Sequence, residues 1–518
     1  MVEHQGYCYV LGGRAMKVLA YCLLFLFFDV HSYDGILQHE RGPRIQSQKI
    51  QAFSQNAQIP QVAQVSQTQS TIPSKKSDWT LLIYMQANNN LSPFALKNFR
   101  DMVTIGSNEK FSLVVQWLQP TQKGIWRYKI EKEKMVLDMF APSETDGNSS
   151  TDLIDAMRWA VGAYPANHYG LVLWDHGIGI LDPPWGRHGS GGAINKIAYD
   201  NVIIDSEIMA ANPRIDIEGL TQEHLENLDA LLTLTDNALA PAQRGILFNE
   251  QSRTYMDNAN LCTALRVIHT DVLKGKKIDF FGMDACLMAM AEVGYLARQY
   301  AEVLVGSQEV ELAHGWPYEL FLQALAHSTI DAKHLAIHLV TMFETFYKDK
   351  APFYTQSAID LTHMNSLKDN LNAMIKSYQL CKLLDNKQMA TMLITARKQC
   401  IQFSINHYID LYSFLEQFDQ QCNTVTTQSS LANAKAFQEL RVGLKASMAV
   451  IDHAVFAKTA GKKFSNARGI SIYFPQGGVD PSYPKTDFAH DCLWYSFIEE
   501  FNRPVPVARD IDLFDLTV

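Results

Sequence analysis

No Cys-x-x-Cys pair occurs among the eight cysteines of this 518-residue chain, which removes zinc ribbons and thioredoxin-like redox motifs from consideration. No Asp-x-Asp-x-Asp-Gly loop is present, so no calcium or other metal site is evident from the sequence. Internal repeats are absent as well. Basic residues are not in excess: the net charge of −9 is spread thinly, gives no reason to expect nucleic-acid binding, and reads as solubility. What remains is ordinary globular chemistry, 47% hydrophobic and 19% charged, with material for a large core and two or three domains.

Apolar runs of membrane character are also missing, with one exception. Met16-Lys17 precedes the run Val18 to Phe28, which is followed by Asp29-Val30-His31-Ser32. A basic residue, a short apolar core and small residues describe a secretory signal peptide over residues 1–32, cut after Ser32. The run is too short to span a bilayer comfortably, which takes about 20 residues, and Asp29 argues against an uncleaved anchor. Translation starts either at Met16 or at Met1 with an unusually long n-region. The mature product is expected to be soluble and exported, periplasmic or extracellular, with no stable membrane association. Cys8 and Cys22 would leave with the signal. An exported compartment permits disulfides among Cys381, Cys400, Cys422 and Cys492, but partners cannot be assigned from sequence.

Residues 33–77 are rich in Gln and Ser and poor in large apolar groups, so they read as a disordered linker or pro-segment. Trp79 to Met85 and Phe111 to Trp117 are continuous apolar runs suited to strands buried on both faces. Ser92-Pro93 opens a helix through Phe94, Leu96, Phe99 and Met102, and Thr151 starts another that continues to about Ala163. Ile125 to Ile130 and Met135 to Met139 look like an antiparallel ribbon. Tyr169 to Asp175, Ile278 to Met283 and Val303 to Gly306 are further core strands. Alternating strands and helices predict an α/β fold with a mostly parallel sheet flanked by helices. The pattern collapses over residues 181–243, an insertion in which only Thr221 to Leu234 reads as a helix. From Ile330 to residue 518 the chain is expected to be mostly helical, with a late strand at Gly469 to Pro475, completing a fold whose catalytic part occupies residues 78–329.

Two of the core strands end in reactive groups. His176-Gly177 follows Tyr169 to Asp175, and Met283-Asp284-Ala285-Cys286 closes the run that begins at Ile278. Side chains at the carboxyl ends of parallel strands face a ligand crevice, and adjacent strands lie about 4.8 Å apart, so a thiol and an imidazole there can share a substrate. Gly177 leaves its backbone open, so its N–H and that of Cys286 are candidate donors to an oxyanion. A helix starting near Leu287 would lower the thiol pKa. Asp284 projects to the same side as Cys286 and suits a pocket floor that pairs with Arg or Lys; the alternative is a cap on the following helix. On spacing alone, a buried structural Cys and a strand-end His satisfying a carbonyl explain the pair better than catalysis does.

The ordered set of motifs changes that balance. Trp79 to Leu91, Tyr164-Pro165-Ala166 through His176-Gly177, Met283 to Cys286, Gly315-Trp316-Pro317-Tyr318, Ser357 to Leu361 and Gly469 to Pro475 resemble successive signatures of the clostripain family of cysteine peptidases, relatives of caspases, legumain and gingipains. The Gln-Ala-Cys signature of caspases is absent. The resemblance implies a caspase-like sheet and an endopeptidase acting on proteins or peptides after Arg or Lys. It makes His176 and Cys286 the catalytic dyad, Asp284 the specificity residue, Gly177 part of the oxyanion hole, and Trp316 and Tyr318 walls of the substrate groove. It also implies activation by a cut between the His and Cys blocks, with Arg187, Lys196, Arg214 and Arg244 as candidates, no obligatory cofactor, and calcium as a possibility raised by the family alone. Asn88 stands where the family commonly has Asp, and Leu312-Ala313 replace an expected Pro-Gly. Two alternatives stay open: an inactive binding protein of the same fold, and a cysteine peptidase without basic preference.

Overall fold

The computed structural model describes residues 76–120, 122–141, 145–182, 245–426 and 431–503, together with the strand Arg214–Asp216. The expectations for residues 1–75, the helix over Thr221 to Leu234, and Cys8 and Cys22 lie outside the described residues. The fold begins with β1 (Ser77–Gln86), α1 (Ser92–Ile105), β2 (Phe111–Gln119), β3 (Gln122–Glu131), β4 (Lys134–Ala141), α2 (Ser150–Ala163), β5 (Ala166–Trp174) and β6 (Arg214–Asp216). It continues through β7 (Ile246–Asn249), β8 (Thr254–Met256), α3 (Asn258–Val267), β9 (Ile278–Asp284), α4 (Ala291–Ala297), β10 (Ala301–Gly306), α5 (Tyr318–His327) and α6 (Ala332–Tyr347). The carboxyl part holds β11 (Thr355–Asp360), α7 (Met364–Leu384), α8 (Asn386–Gln399), β12 (Tyr408–Asp410), α9 (Leu411–Thr426), α10 (Leu431–Ala454), β13 (Val455–Ala460), β14 (Ser471–Tyr473), α11 (Asp487–Asp491) and α12 (Trp494–Phe501).

Ten strands form one sheet in the order β13-β11-β10-β9-β5-β1-β2-β3-β4-β6. Its centre, β2-β1-β5-β9-β10, is parallel, and antiparallel strands extend it on both sides. The predicted α/β class and mostly parallel sheet are therefore present. The period-two alternation of a doubly covered strand explains the layering. In β1, Leu82 and Tyr84 join the core on one face, whereas Leu81, Ile83 and Met85 join the core on the other. All five are fully buried, and each large aliphatic among them contributes about 1.5–3 kcal/mol relative to exposure.

Local signals account for the flanking helices. Pro93 sits in the first turn of α1, and Phe94, Phe99, Met102 and Val103 form its buried stripe. In α2 the Ser149 side chain accepts from the Asp152 N–H while Asp152 bonds back to the Ser149 backbone, a reciprocal cap. The carboxyl part is less purely helical than its sequence suggests. β11, β12 and β13 all lie within it, and β11 and β13 extend the main sheet beside β10. Among the described residues no helix is long and apolar enough to cross a membrane.

Candidate active site

The chain leaves β1 toward β2 on one side and later returns to place β5 on the other. Strand order therefore reverses between β1 and β5, the position beyond whose carboxyl ends ligands bind in open α/β sheets. Trp174, the last residue of β5, pairs with Asp284, the last residue of β9. His176 and Cys286 each lie two residues further on, so the register sets them at matching positions on neighbouring tips. The Asp175 N–H donates to the Asp284 carbonyl at 3.3 Å, which holds the tips together past the end of the ladder. Gly177 completes the apposition: a Cβ there would fall 2.4 Å from the Cys286 carbonyl oxygen, so only glycine admits the approach.

Side-chain hydrogen bonds lock the His176 tip. The buried Asp175 points away from His176, as strand alternation demands, and accepts from Asn89 Nδ2 at 2.7 Å. Asn89 Nδ2 also donates to the Phe248 carbonyl at 2.8 Å, and its Oδ1 accepts the Leu91 N–H at 2.8 Å. The turn after β1 is thereby fixed to β5, and it presents Asn90 Oδ1 2.8 Å from His176 Nε2. The sequence singles out no further partner for His176 and Cys286. The available signal was a polar run, Asn88-Asn89-Asn90, at the carboxyl end of a strand adjacent to β5.

Backbone contacts hold the Cys286 tip instead. The segment after β9 does not become helical near Leu287, as the sequence pattern predicts; it turns through Leu287, in left-handed backbone at φ 65°, and α4 starts only at Ala291. Leu287 N–H donates to the Glu309 carbonyl and Ala289 N–H to that of Ser307, which tie this segment to the loop after β10. That loop also covers the sulfur: the Glu311 N–H donates to Cys286 Sγ at 3.3 Å, and the thiol lies 3.8 Å from the Glu311 carbonyl. The expected lowering of the thiol pKa is thus reversed. Cys286 retains some exposed surface, yet desolvation, with the carboxylates of Glu311, Glu309 and Asp284 adding to it, pushes its thiol up to about 12.

Asp284 lies beneath this loop, buried, with its carboxyl pushed up to about 7 by loss of water. Oδ2 accepts from the Tyr318 hydroxyl at 2.8 Å and the Trp316 N–H at 3.3 Å. Gly315, at φ 62°, passes so close that a Cβ would stand 2.8 Å from Oδ1. The helix-cap alternative for Asp284 does not apply, because no helix starts next to it and α4 has no side-chain cap. Trp316 and Tyr318 are both fully buried, so they support Asp284 from below instead of presenting an exposed wall. Glu311 is a second carboxyl here, raised by burial and then by Asp284.

Of the processing candidates, Arg187, Lys196 and Arg244 lie outside the described residues. Arg214 opens β6, where it pairs with Val136 of β4. Among the described residues no disulfide joins Cys262, Cys381, Cys400, Cys422 or Cys492 to another cysteine. Nor does any group of three or more His, Cys, Asp or Glu among them assemble to hold a metal ion.

The profile of the clostripain family matches residues 83–205 and 232–502. The chain belongs to the clostripain family. It is a cysteine peptidase of that class, and the unmatched stretch between the two segments falls inside the insertion read from the sequence. Among solved structures, it resembles a secreted C11 cysteine protease from Bacteroides thetaiotaomicron in complex with an irreversible peptide inhibitor, at 16% identity and a TM-score of 0.51, covering 82% of this chain and 99% of that one. A second structure, the secreted C11 protease iotapain from the same organism, aligns at 13% identity and a TM-score of 0.50 over 80% of this chain and 99% of that one. At such identities the likeness speaks to fold. No curated protein sequence matches the chain.

Proposed function

We propose that this clostripain-family protein is an exported endopeptidase that cuts after Arg or Lys, with Cys286 as nucleophile and His176 as general acid and base. The observation that carries the reading is the β5–β9 register, which puts the imidazole and the thiol at equivalent positions on adjacent tips, with the Asp284 carboxyl two residues before the sulfur. In the reaction His176 takes the thiol proton and Cys286 Sγ attacks the scissile carbonyl. Backbone N–H groups of Gly177 and Cys286 serve the oxyanion, and His176 protonates the leaving amine. Water activated by His176 then hydrolyses the acyl-enzyme. A substrate guanidinium or ammonium over Asp284 favours the ionised carboxylate.

The Glu311 cap on the sulfur favours a second element of the reading: the intact chain is latent, and a cut within residues 181–243 or at Arg244 activates it. Of the candidate sites, Arg214 is the poorest, because its bond lies in a paired strand. Wild type and Cys286→Ala chains compared on fluorogenic peptides that differ at the residue before the cut test the proposal. The expected result is Cys286-dependent cleavage after Arg and Lys alone. Equal cleavage by both chains, or none by a processed wild type, would reject it.

A further inference from the structure

We infer that Asn90 is a positioning residue for His176, fixing its tautomer, so that the reacting pair works as a triad of Asn90, His176 and Cys286. The inference rests on the reading of His176 as the acid–base group. Asn90 Oδ1 lies 2.8 Å from His176 Nε2. An amide oxygen only accepts, so the facing ring nitrogen carries the proton, and in the neutral ring Nδ1 is left as the basic nitrogen. When Nδ1 takes the thiol proton, the Nε2–H to Oδ1 bond persists and orients the imidazolium. The neutral amide does this without titrating itself.

The placement is built, not incidental. The neighbouring Asn89 spends its side chain on Asp175, on the Phe248 carbonyl and on the Leu91 N–H, and so clamps the turn to β5 at the reversal of strand order. Asp175, the acid next to the histidine in sequence, faces that clamp and not the imidazole. Asn90 therefore does for His176 what an adjacent carboxylate does in other triads, without burying a further carboxyl beside Asp284 and Glu311, whose ionised forms burial already disfavours.

The test uses the full chain labelled with 15N-histidine, with the His176 signals assigned by their loss in His176→Ala. The ring nitrogens are followed against pH in wild type, Asn90→Ala and Asn90→Asp, beside kcat and KM of the processed chains on an arginyl peptide. Wild type should show neutral His176 protonated at Nε2. Asn90→Ala should mix the tautomers and lower kcat about 10–100-fold with KM within about twofold. Asn90→Asp should keep the tautomer and move the imidazole titration, and with it the acid limb of kcat/KM, up by about 1–3 pH units. A proton on Nδ1 in wild type, or a tautomer unchanged in Asn90→Ala, would overturn the inference, and a lowered Tm with that unchanged tautomer would make Asn90 a loop residue only. If processed wild type cleaves nothing, the peptidase reading fails, while the nitrogen signals still decide the role of Asn90.

Discussion

The two strand tips that make up the site are held in different ways. The His176 tip is set by side chains, Asn89 on Asp175 and Asn90 on the ring. The Cys286 tip is set by backbone bonds to the loop after β10, and the same loop places an N–H on the sulfur and two carboxyls near it. The imidazole is held by side chains, whereas the thiol lies under a backbone loop. Burial pushes the Cys286 thiol up to about 12 against the Glu311 N–H, which favours the thiolate, so on the proposed function the stretch from Glu309 to Gly315 is where the intact chain is kept latent.

The sharpest ways to break this comparison act on the tips themselves. Cys286→Ala or His176→Ala should each lower kcat/KM by at least about 10³-fold, and the double variant should be no worse, because the groups act as a unit. Gly177→Ala drives a Cβ against the Cys286 carbonyl and should cost about 100-fold in kcat, read by steady-state kinetics on a processed chain. Asp284→Asn should lower kcat/KM for arginyl peptides by about 100-fold and so narrow the gap between them and peptides with a neutral residue before the cut.

The masking has its own signature. Alkylation of Cys286 in the intact chain should keep accelerating with pH past 9, as its raised pKa demands, whereas cleavage between the His and Cys blocks should bring a plateau toward neutrality. A plateau near neutral pH in the intact chain would remove the contrast between the tips.

Away from the tips, Glu292 offers a smaller effect. It is buried, bonded to the Tyr473 N–H and the Tyr483 hydroxyl, and pushed up to about 7. Its folded pKa exceeds the unfolded value, so its protonation stabilises the fold fully below about pH 4.5, and that contribution is lost as pH rises through 7. Denaturant titrations should show wild type losing up to about 3 kcal/mol relative to Glu292→Gln between pH 4.5 and 8.5.

Sequence pattern reached the parts of this site governed by periodicity. Continuous apolar runs revealed β1, β2, β5, β9 and β10 because strands covered on both faces must be apolar throughout. The placing of His176 and Cys286 at strand ends follows from the same runs. The turn from Cys286 to Ala291 was not legible, since its residues are as apolar as a buried helix and only tertiary pairing with the β10 loop keeps it from becoming helical. Short β11, β12 and β13 hide among helices for a similar reason: six residues or fewer carry too little alternation to outweigh their neighbours. Asn90 was invisible as a partner because its contact depends on strand order, which no local pattern encodes.

Treating processed chain with an arginyl electrophile and locating the adduct by mass spectrometry decides whether Cys286 is the nucleophile. A single adduct on Cys286, absent from His176→Ala and weakened in Asp284→Asn, is the predicted result. An adduct on another residue of a chain that still cleaves arginyl peptides would contradict it.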